Sequence, residues 1–488
     1  MPPKPASNLS PQPDWTALFR LLSVVALFLW PLNAEGLEHR DFTLDNGLRV
    51  ILVREPKAPV AISQIWYRVG SVDEEAGKTG LSHMLEHMMF QGTPKVPAGE
   101  FHRIIGQNGG ENNASTSTDY TNYYIKLASD RIELALRMEA DRMRHLTLSE
   151  DNFRSENQVV QEERRSRTDA DPNARFMEQF QASAYGAHPY GHPVIGWMAE
   201  IQQLTVADLR AWYQRYYAPD NAVLVVVGDI DLATIAQQVE SHFADIPPRP
   251  DRPQTLLPEY QLPDRSKSCS LPVPRLEVTD KAVTLPVWHG AYPVPSLLTA
   301  GKEDVFALDL LATILGGGSS SRLHQRLIIN EELAVSASAH YGGYGRSWEL
   351  FSLSAAPKST PTAAFSTPPE GEKERRRGEH AASVTGKAAL PLIEQIILQE
   401  IERLTREPVS ERELQRAKNS MIAQHIFARD SIHELASVIG LLSSKGLEWQ
   451  SLVEEYPKLI EAVRAEDIQR VAARYLNPDQ LIVGVLQP

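Results

Sequence analysis

Apolar and polar positions along this chain fall into two kinds of pattern. Short dense apolar runs at 49–53 and 62–69 have the length and β-branched content of strands, whereas 132–144 places its apolar residues at helical spacing. Such runs and longer amphipathic segments alternate from about residue 38, and again after about residue 275, which predicts sheets with helices packed on them. Between the two stretches stand Pro247, Pro248, Pro250, Pro253, Pro258, Pro263, Pro272 and Pro274, which resist both helix and central strand. A linker is therefore expected over 248–275, separating an N-terminal domain, 36–247, from a C-terminal one, 276–488. Residues from about 357 to 388 carry Pro, Ser, Thr and charge without apolar period, which predicts a flexible insertion in the second domain.

The two stretches repeat one another. Ala207-Asp208-Leu209 leads to Arg215-Tyr216-Tyr217-Ala218-Pro219-Asp220 and an apolar run; Glu466-Asp467-Ile468 leads to Arg474-Tyr475-Leu476-Asn477-Pro478-Asp479 and another, at an offset of 259 residues. Upstream, Leu148-Ser149-Glu150 matches Val409-Ser410-Glu411 at an offset of 261. Each Ser suits an N-cap, with acids at the positive end of the helix dipole. Two blocks in nearly one register point to duplicated domains, of α/β or α+β type, rather than to a solenoid of short repeats.

Composition changes this picture in three places. The 488 residues exceed one ordinary core, and a net charge of −13 argues against nucleic acid as a partner. Cys269 is the single cysteine, so a Cys-based metal site or an internal disulfide is excluded. At the N-terminus, Lys4 and Arg20 precede the apolar run 21–32 and then Asn33-Ala34-Glu35. That pattern predicts an export signal over 1–34, with an uncleaved anchor as the alternative and the only route to a membrane. An exported protein is expected, periplasmic if the source is Gram-negative.

The chemistry concentrates in Gly80-Leu81-Ser82-His83-Met84-Leu85-Glu86-His87-Met88-Met89-Phe90-Gln91-Gly92, read as a short helix with Gly92 as its stop. His83 and His87, four residues apart, project from one face and can reach one ion. Glu86 lies on the same face, beside the ion, where a carboxylate can take a proton from a water that the ion acidifies. This is the inverted order H-x-x-E-H. With 14 His and 62 acids, the pattern arises by chance in roughly 3% of such chains. It therefore needs a third ligand. Glu156 and Glu163 stand two turns apart on one face of the helix that follows Ser149, while Glu162 points elsewhere. At the 261 offset they become Ala417 and Gln424, and the second copy has no H-x-x-E-H. The acids and the His pair are present together in one copy and absent together from the other, as a single site would leave them.

On these residues the chain resembles the pitrilysin/insulinase family of zinc metallopeptidases, in its bacterial members similar to mitochondrial processing peptidase. The match runs from about Glu38 to the C-terminus; the stretch 80–93 and the spacing from His87 to Glu163 carry it. The resemblance implies two homologous domains, each a mostly antiparallel sheet packed with helices. It implies one zinc ion held by His83, His87 and Glu163, Glu86 as general base, and Glu156 supporting the ligands. It also makes 109–116 an edge strand on which Asn113 and the backbone of Ala114 hold a substrate peptide. His188 and His192 compete as ligands on composition, but the prolines around them place them on a loop that the family uses structurally.

The chain departs from the family in its second copy. Active members carry an Arg and a Tyr, seven residues apart, after a Gly- and Ser-rich turn, here 316–323. Those positions fall at Ile328 and Val335, and neither side chain can polarise a carbonyl. Arg326 lies two residues out of register. The expectation is a zinc endopeptidase subunit that works in a heterodimer, a homologous partner supplying the Arg/Tyr pair. The alternative is a non-catalytic subunit that binds zinc or peptide in an assembly.

Overall fold

The computed structural model describes residues 36–249, 275–359 and 386–488. The expected signal at 1–34, Cys269, and nearly all of the expected linker and insertion lie outside the described residues. Among the described residues no helix is long and apolar enough to cross a membrane.

The first sheet has six strands: β1 (His39–Thr43), β2 (Arg49–Arg54), β3 (Val60–Tyr67), β4 (Glu111–Thr116), β5 (Thr121–Ala128) and β6 (Ala222–Gly228). Their order is β1-β2-β6-β3-β5-β4, and only β2 and β6 run parallel. The Val-rich β6 is buried along its whole length at the centre, while β4, polar in every position but Ala114, takes an edge. Seven helices of eight residues or more accompany it: α1 (Leu81–Met88), α2 (Glu100–Gln107), α3 (Ile132–His145), α4 (Glu150–Arg164), α5 (Pro172–Tyr185), α6 (Val206–Tyr216) and α7 (Leu232–Phe243). Strand β3 starts and stops two residues earlier than the apolar run suggests, because Arg68 already donates its N–H to Asn221 outside the ladder.

The second sheet holds β7 (Arg275–Thr279), β8 (Val287–Val294), β9 (Ala334–His340), β10 (Glu349–Pro357) and β11 (Ile482–Gln487), in the order β7-β11-β8-β10-β9. This repeats β2-β6-β3-β5-β4 strand for strand, down to its one parallel pair, β7 with β11. With it go α8 (Lys302–Gly316), α9 (Leu390–Arg406), α10 (Glu411–Arg429), α11 (Ile432–Ser444) and α12 (Ala465–Tyr475). The fold is thus two homologous α+β domains with mostly antiparallel sheets. The matching serines do the same work in both: Ser149 accepts the N–H of Asn152 at the start of α4, and Ser410 that of Glu413 at the start of α10.

The halves exchange helices, and residues 38–488 form one compact unit. Helix α5, from the first half, packs Phe176, Phe180 and Ala184 against Ile482 and Leu486 of β11. Helix α11, from the second half, packs on β3 and β6. Both approaches need a glycine. A Cβ on Gly484 would sit 2.5 Å from the Phe180 ring, and one on Gly440 would sit 2.1 Å from Nε1 of Trp66. The zinc-type motif itself is anchored in the first core, where Met84, Leu85 and Met88 pack among Val50, Leu52, Ile65, Leu224 and Val226.

Candidate metal centre

Helix α1 has an unusual cap. The buried carboxylate of Glu74 accepts the N–H groups of Gly80 and Ser82, at 2.8 and 2.7 Å, replacing the missing intrahelical acceptors. Burial pushes its pKa up to about 8, against the pull of those two N–H groups. With Leu81, Met84, Leu85 and Met88 turned into the core, the opposite face presents His83, Glu86 and His87. The helix ends at Met88, one turn before Gly92, with Met89 still bonded back to Leu85.

Facing it, α4 brings Glu156 and Glu163 from two successive turns. Oε2 of Glu163 lies 3.7 Å from Nε2 of His83 and 3.3 Å from Nε2 of His87. The three ligand atoms all lie within 4.8 Å of one another, and no other group of three potential ligands is gathered among the described residues. A tetrahedral shell with bonds of about 2.1 Å separates its ligands by about 3.4 Å, so two imidazoles and a carboxylate at these distances fit zinc in chemistry and spacing. Both nitrogens that face the acid are Nε2, and Glu162 points away to pair with Arg165.

The surroundings act in opposite directions on the two imidazoles. Burial, aided by His87 and Arg167, pushes the His83 pKa down to about 3, which leaves a neutral imidazole with a free lone pair. Burial also works against charge on His87, but its hydrogen bond to Glu156 and the field of Glu163 and Glu86 outweigh that, and its pKa is raised. Glu156 holds Nδ1 of His87 at 3.1 Å with one oxygen and accepts Gln91 Nε2 at 2.7 Å with the other. It therefore lies beside the His83, His87 and Glu163 group, bonded to His87 rather than joined to the group. Glu86 is raised by burial, opposed by a hydrogen bond from the Thr116 hydroxyl to Oε2 at 2.5 Å.

Strand β4 runs past this face as a sheet edge, paired on one side only with β5. Along it Asn112, Ala114 and Thr116 are half-buried and Glu111, Asn113 and Ser115 exposed. Ala114 thus shares the side of Thr116, and Asn113 projects its side chain to the opposite, open side. The two rival histidines lie elsewhere. His188 is buried, accepting Tyr190 N–H with Nδ1 and meeting the Ser347 hydroxyl with Nε2, and neither it nor His192 joins a ligand group.

Three residues of the site escape the sequence reading. Strand period puts Thr116 on the face of Ala114, but only the docking of that strand on α1 brings it to Glu86. Arg167, one turn beyond Glu163, takes the carboxylate oxygen Oε1 that faces away from the imidazoles. It sits in a π-helical turn, 165–169, of a kind frequent at functional sites. Glu74 has no local signal, because only the fold brings it to the start of α1.

In the second half the corresponding residues gather no ligand set. Helix α8 is mostly apolar and buried and carries no His, Ala417 is buried, and Gln424 donates to Ser420 on its own helix. Ile328 lies in the turn 324–330 and Val335 is exposed on the edge strand β9. Arg326 pairs with Glu331 and Glu400, so it does not stand in for the missing arginine.

Comparison with known proteins places both halves. Residues 49–197 match the family described as insulinase, peptidase family M16, and 203–421 match the peptidase M16 inactive domain. The zinc protease PqqE of Helicobacter pylori is 37% identical over 304 residues, which is 62% of this chain and 66% of that protein. The uncharacterized zinc protease YmxG of Bacillus subtilis is 30% identical over 305 residues, 62% of this chain and 70% of the relative. A crystal structure of a protease from Helicobacter pylori superposes with a TM-score of 0.80 at 30% identity, covering 93% of this chain and all of that one.

Proposed function

The chain belongs to the insulinase family of M16 peptidases, and from that membership we propose that it is a zinc-dependent endopeptidase acting on peptides or unfolded segments. The observation that carries the proposal is the convergence of His83, His87 and Glu163 with Glu86 beside them. His83, His87 and Glu163 would hold one zinc ion. When bound, zinc acidifies a water, from a pKa of about 15.7 towards 7, and polarises the scissile carbonyl.

The chain's own residues supply the rest. Glu86 accepts the water's proton and delivers it to the departing amine, with Thr116 fixing the carboxylate's direction. Glu156 fixes the tautomer of His87 so that Nε2 faces the ligand site. The peptide adds as a strand to the open edge of β4, with the backbone of Ala114 and the side chain of Asn113 as its holders.

Ile328 and Val335, which stand where the family's Arg and Tyr belong, cannot stabilise an oxyanion. A homologous partner subunit would supply that pair. Export to the periplasm belongs to the same proposal and rests on the residues 1–34 alone.

Zinc stoichiometry and peptide cleavage, measured with and without the homologous partner, test this. The chain alone should bind one zinc and cleave poorly, and the pair should cleave well. Glu86→Gln should keep zinc and abolish turnover; Glu163→Gln should lose zinc. Strong cleavage by a verified homodimer removes the heterodimer. Zinc binding with no cleavage beside any such partner favours a non-catalytic assembly or peptide-binding subunit, the reading to which the apolar Ile328 and Val335 also lend themselves.

A further inference from the structure

The second half contributes no ligand to the candidate zinc site, yet two of its cations are buried against the first half. Arg346, on the loop between β9 and β10, places Nη1 and Nη2 on the two oxygens of Asp73, at 2.9 and 3.0 Å. The two side chains are 11% and 7% exposed. Its backbone N–H donates to Asp119 at 3.1 Å. Lys445, directly after α11, pairs with the same Asp119 at 2.9 Å, each side chain 6% exposed, and also donates to the Tyr344 carbonyl. The Tyr190 hydroxyl completes the cluster by donating to Asp119 at 2.6 Å.

The two acids sit at the turns that bracket the site. Asp73 accepts the Gly70 N–H, and within that turn Ser71 and Val72 donate to the carbonyls of Ser117 and Thr118. The next residue, Glu74, caps α1. Asp119 belongs to the turn 117–120 that joins β4 to β5, immediately after Thr116, whose hydroxyl holds Glu86. The helix that carries His83, Glu86 and His87 and the edge strand that faces it are therefore both tied to one buried ion cluster.

Cohesion between the halves is a poor reason for such a cluster. Desolvation cancels much of the attraction of buried ion pairs, and apolar contacts of the same size hold surfaces together as well or better. What bidentate, charge-assisted bonds add is direction. We propose that Arg346 and Lys445 are positioning residues: acting through Asp73 and Asp119, they set β4 against α1 and so govern how a peptide lies along the edge strand. This rests on the proposed peptidase reading for its peptide arm only.

The test uses the full chain, zinc-loaded, in a Glu86→Gln background so that bound peptide survives. Arg346→Met, Arg346→Lys and Lys445→Met are compared by amide hydrogen exchange in 111–120, by affinity for a fluorescent unfolded peptide, and by zinc affinity in chelator competition. The expected result for Arg346→Met is exchange in 111–120 at least tenfold faster and peptide affinity at least tenfold weaker. Zinc affinity should stay within about threefold and β6 keep its protection. Arg346→Lys, which keeps charge without the fork, should recover part of both losses. Unchanged exchange in 111–120 with a lowered melting temperature would reduce the cluster to cement and overturn the inference. Should Arg346→Met fail to fold, Lys445→Met and Asp119→Asn decide by the same readings. If the Glu86→Gln chain binds no peptide at all, the peptidase reading fails, while the exchange of 111–120 still decides the role of the cluster.

Discussion

Thr116 and Glu86, 30 residues apart in the chain, are joined by a hydrogen bond of 2.5 Å from the threonine hydroxyl to the carboxylate. Strand and helix thus meet at the proposed base. Thr116→Val keeps the shape and removes the donor. A hydrogen bond to a charged group is worth about 1.5–3 kcal/mol, so turnover should fall by roughly 10- to 100-fold with zinc content unchanged. Steady-state cleavage beside metal analysis checks it; an unaltered kcat would show that Glu86 does not need this partner.

Glu156 acts one step further from the metal locus. It fixes His87 from behind through Nδ1 and is itself fixed by Gln91. Glu156→Gln should weaken zinc binding by about 10- to 100-fold, the usual effect of losing such an outer partner, while Glu162→Gln, at an exposed neighbour, should leave it unchanged. Competition with a chelator of known affinity measures both.

How far the sequence discloses these relations depends on their range. The His pair and the acids Glu156 and Glu163 are legible because helical period alone puts them on common faces. The repeat is legible because each copy keeps its Tyr-x-x-Pro-Asp turn before a buried strand. Thr116 on Glu86 and Arg346 on Asp73, the latter 273 residues apart, depend on where whole elements dock, and no local pattern records that. The exchange of α5 and α11 is hidden for the same reason: an amphipathic helix shows that it has an apolar face, not which sheet will cover it.

Gly440 gives a direct test of the exchanged packing. In a helix interior, Gly to Ala is ordinarily favourable by about 0.5–1 kcal/mol. Here the new methyl would meet the Trp66 indole at 2.1 Å, in a place where Trp66 is also held by a hydrogen bond to Gln64. Overpacking costs about 1–3 kcal/mol, so the clash should win. Gly440→Ala should lower the melting temperature and change the Trp fluorescence, and a stabilised variant would mean that α11 does not lie on β3 as described.

Asp309, in the second half, predicts a pH dependence outside the proposed zinc site. It lies on α8, its charge felt by Tyr341, Tyr344 and Tyr456, and burial raises its pKa from 3.8 to about 7. The folded chain therefore holds this proton more tightly than the unfolded one. Below about pH 4 both states are protonated and the site costs nothing. Between pH 4 and 7 the unfolded chain releases its proton first, so stability falls as pH rises, and above pH 7 the loss is complete. At about 1.4 kcal/mol per unit, it amounts to a few kcal/mol. Asp309→Asn imitates the protonated form at every pH. It should leave the melting temperature near that of the parent at pH 4 and raise it by several degrees at pH 8, so that the difference between the two chains grows across this window. A difference that stays constant from pH 4 to 8 would mean that Asp309 titrates normally in the folded chain.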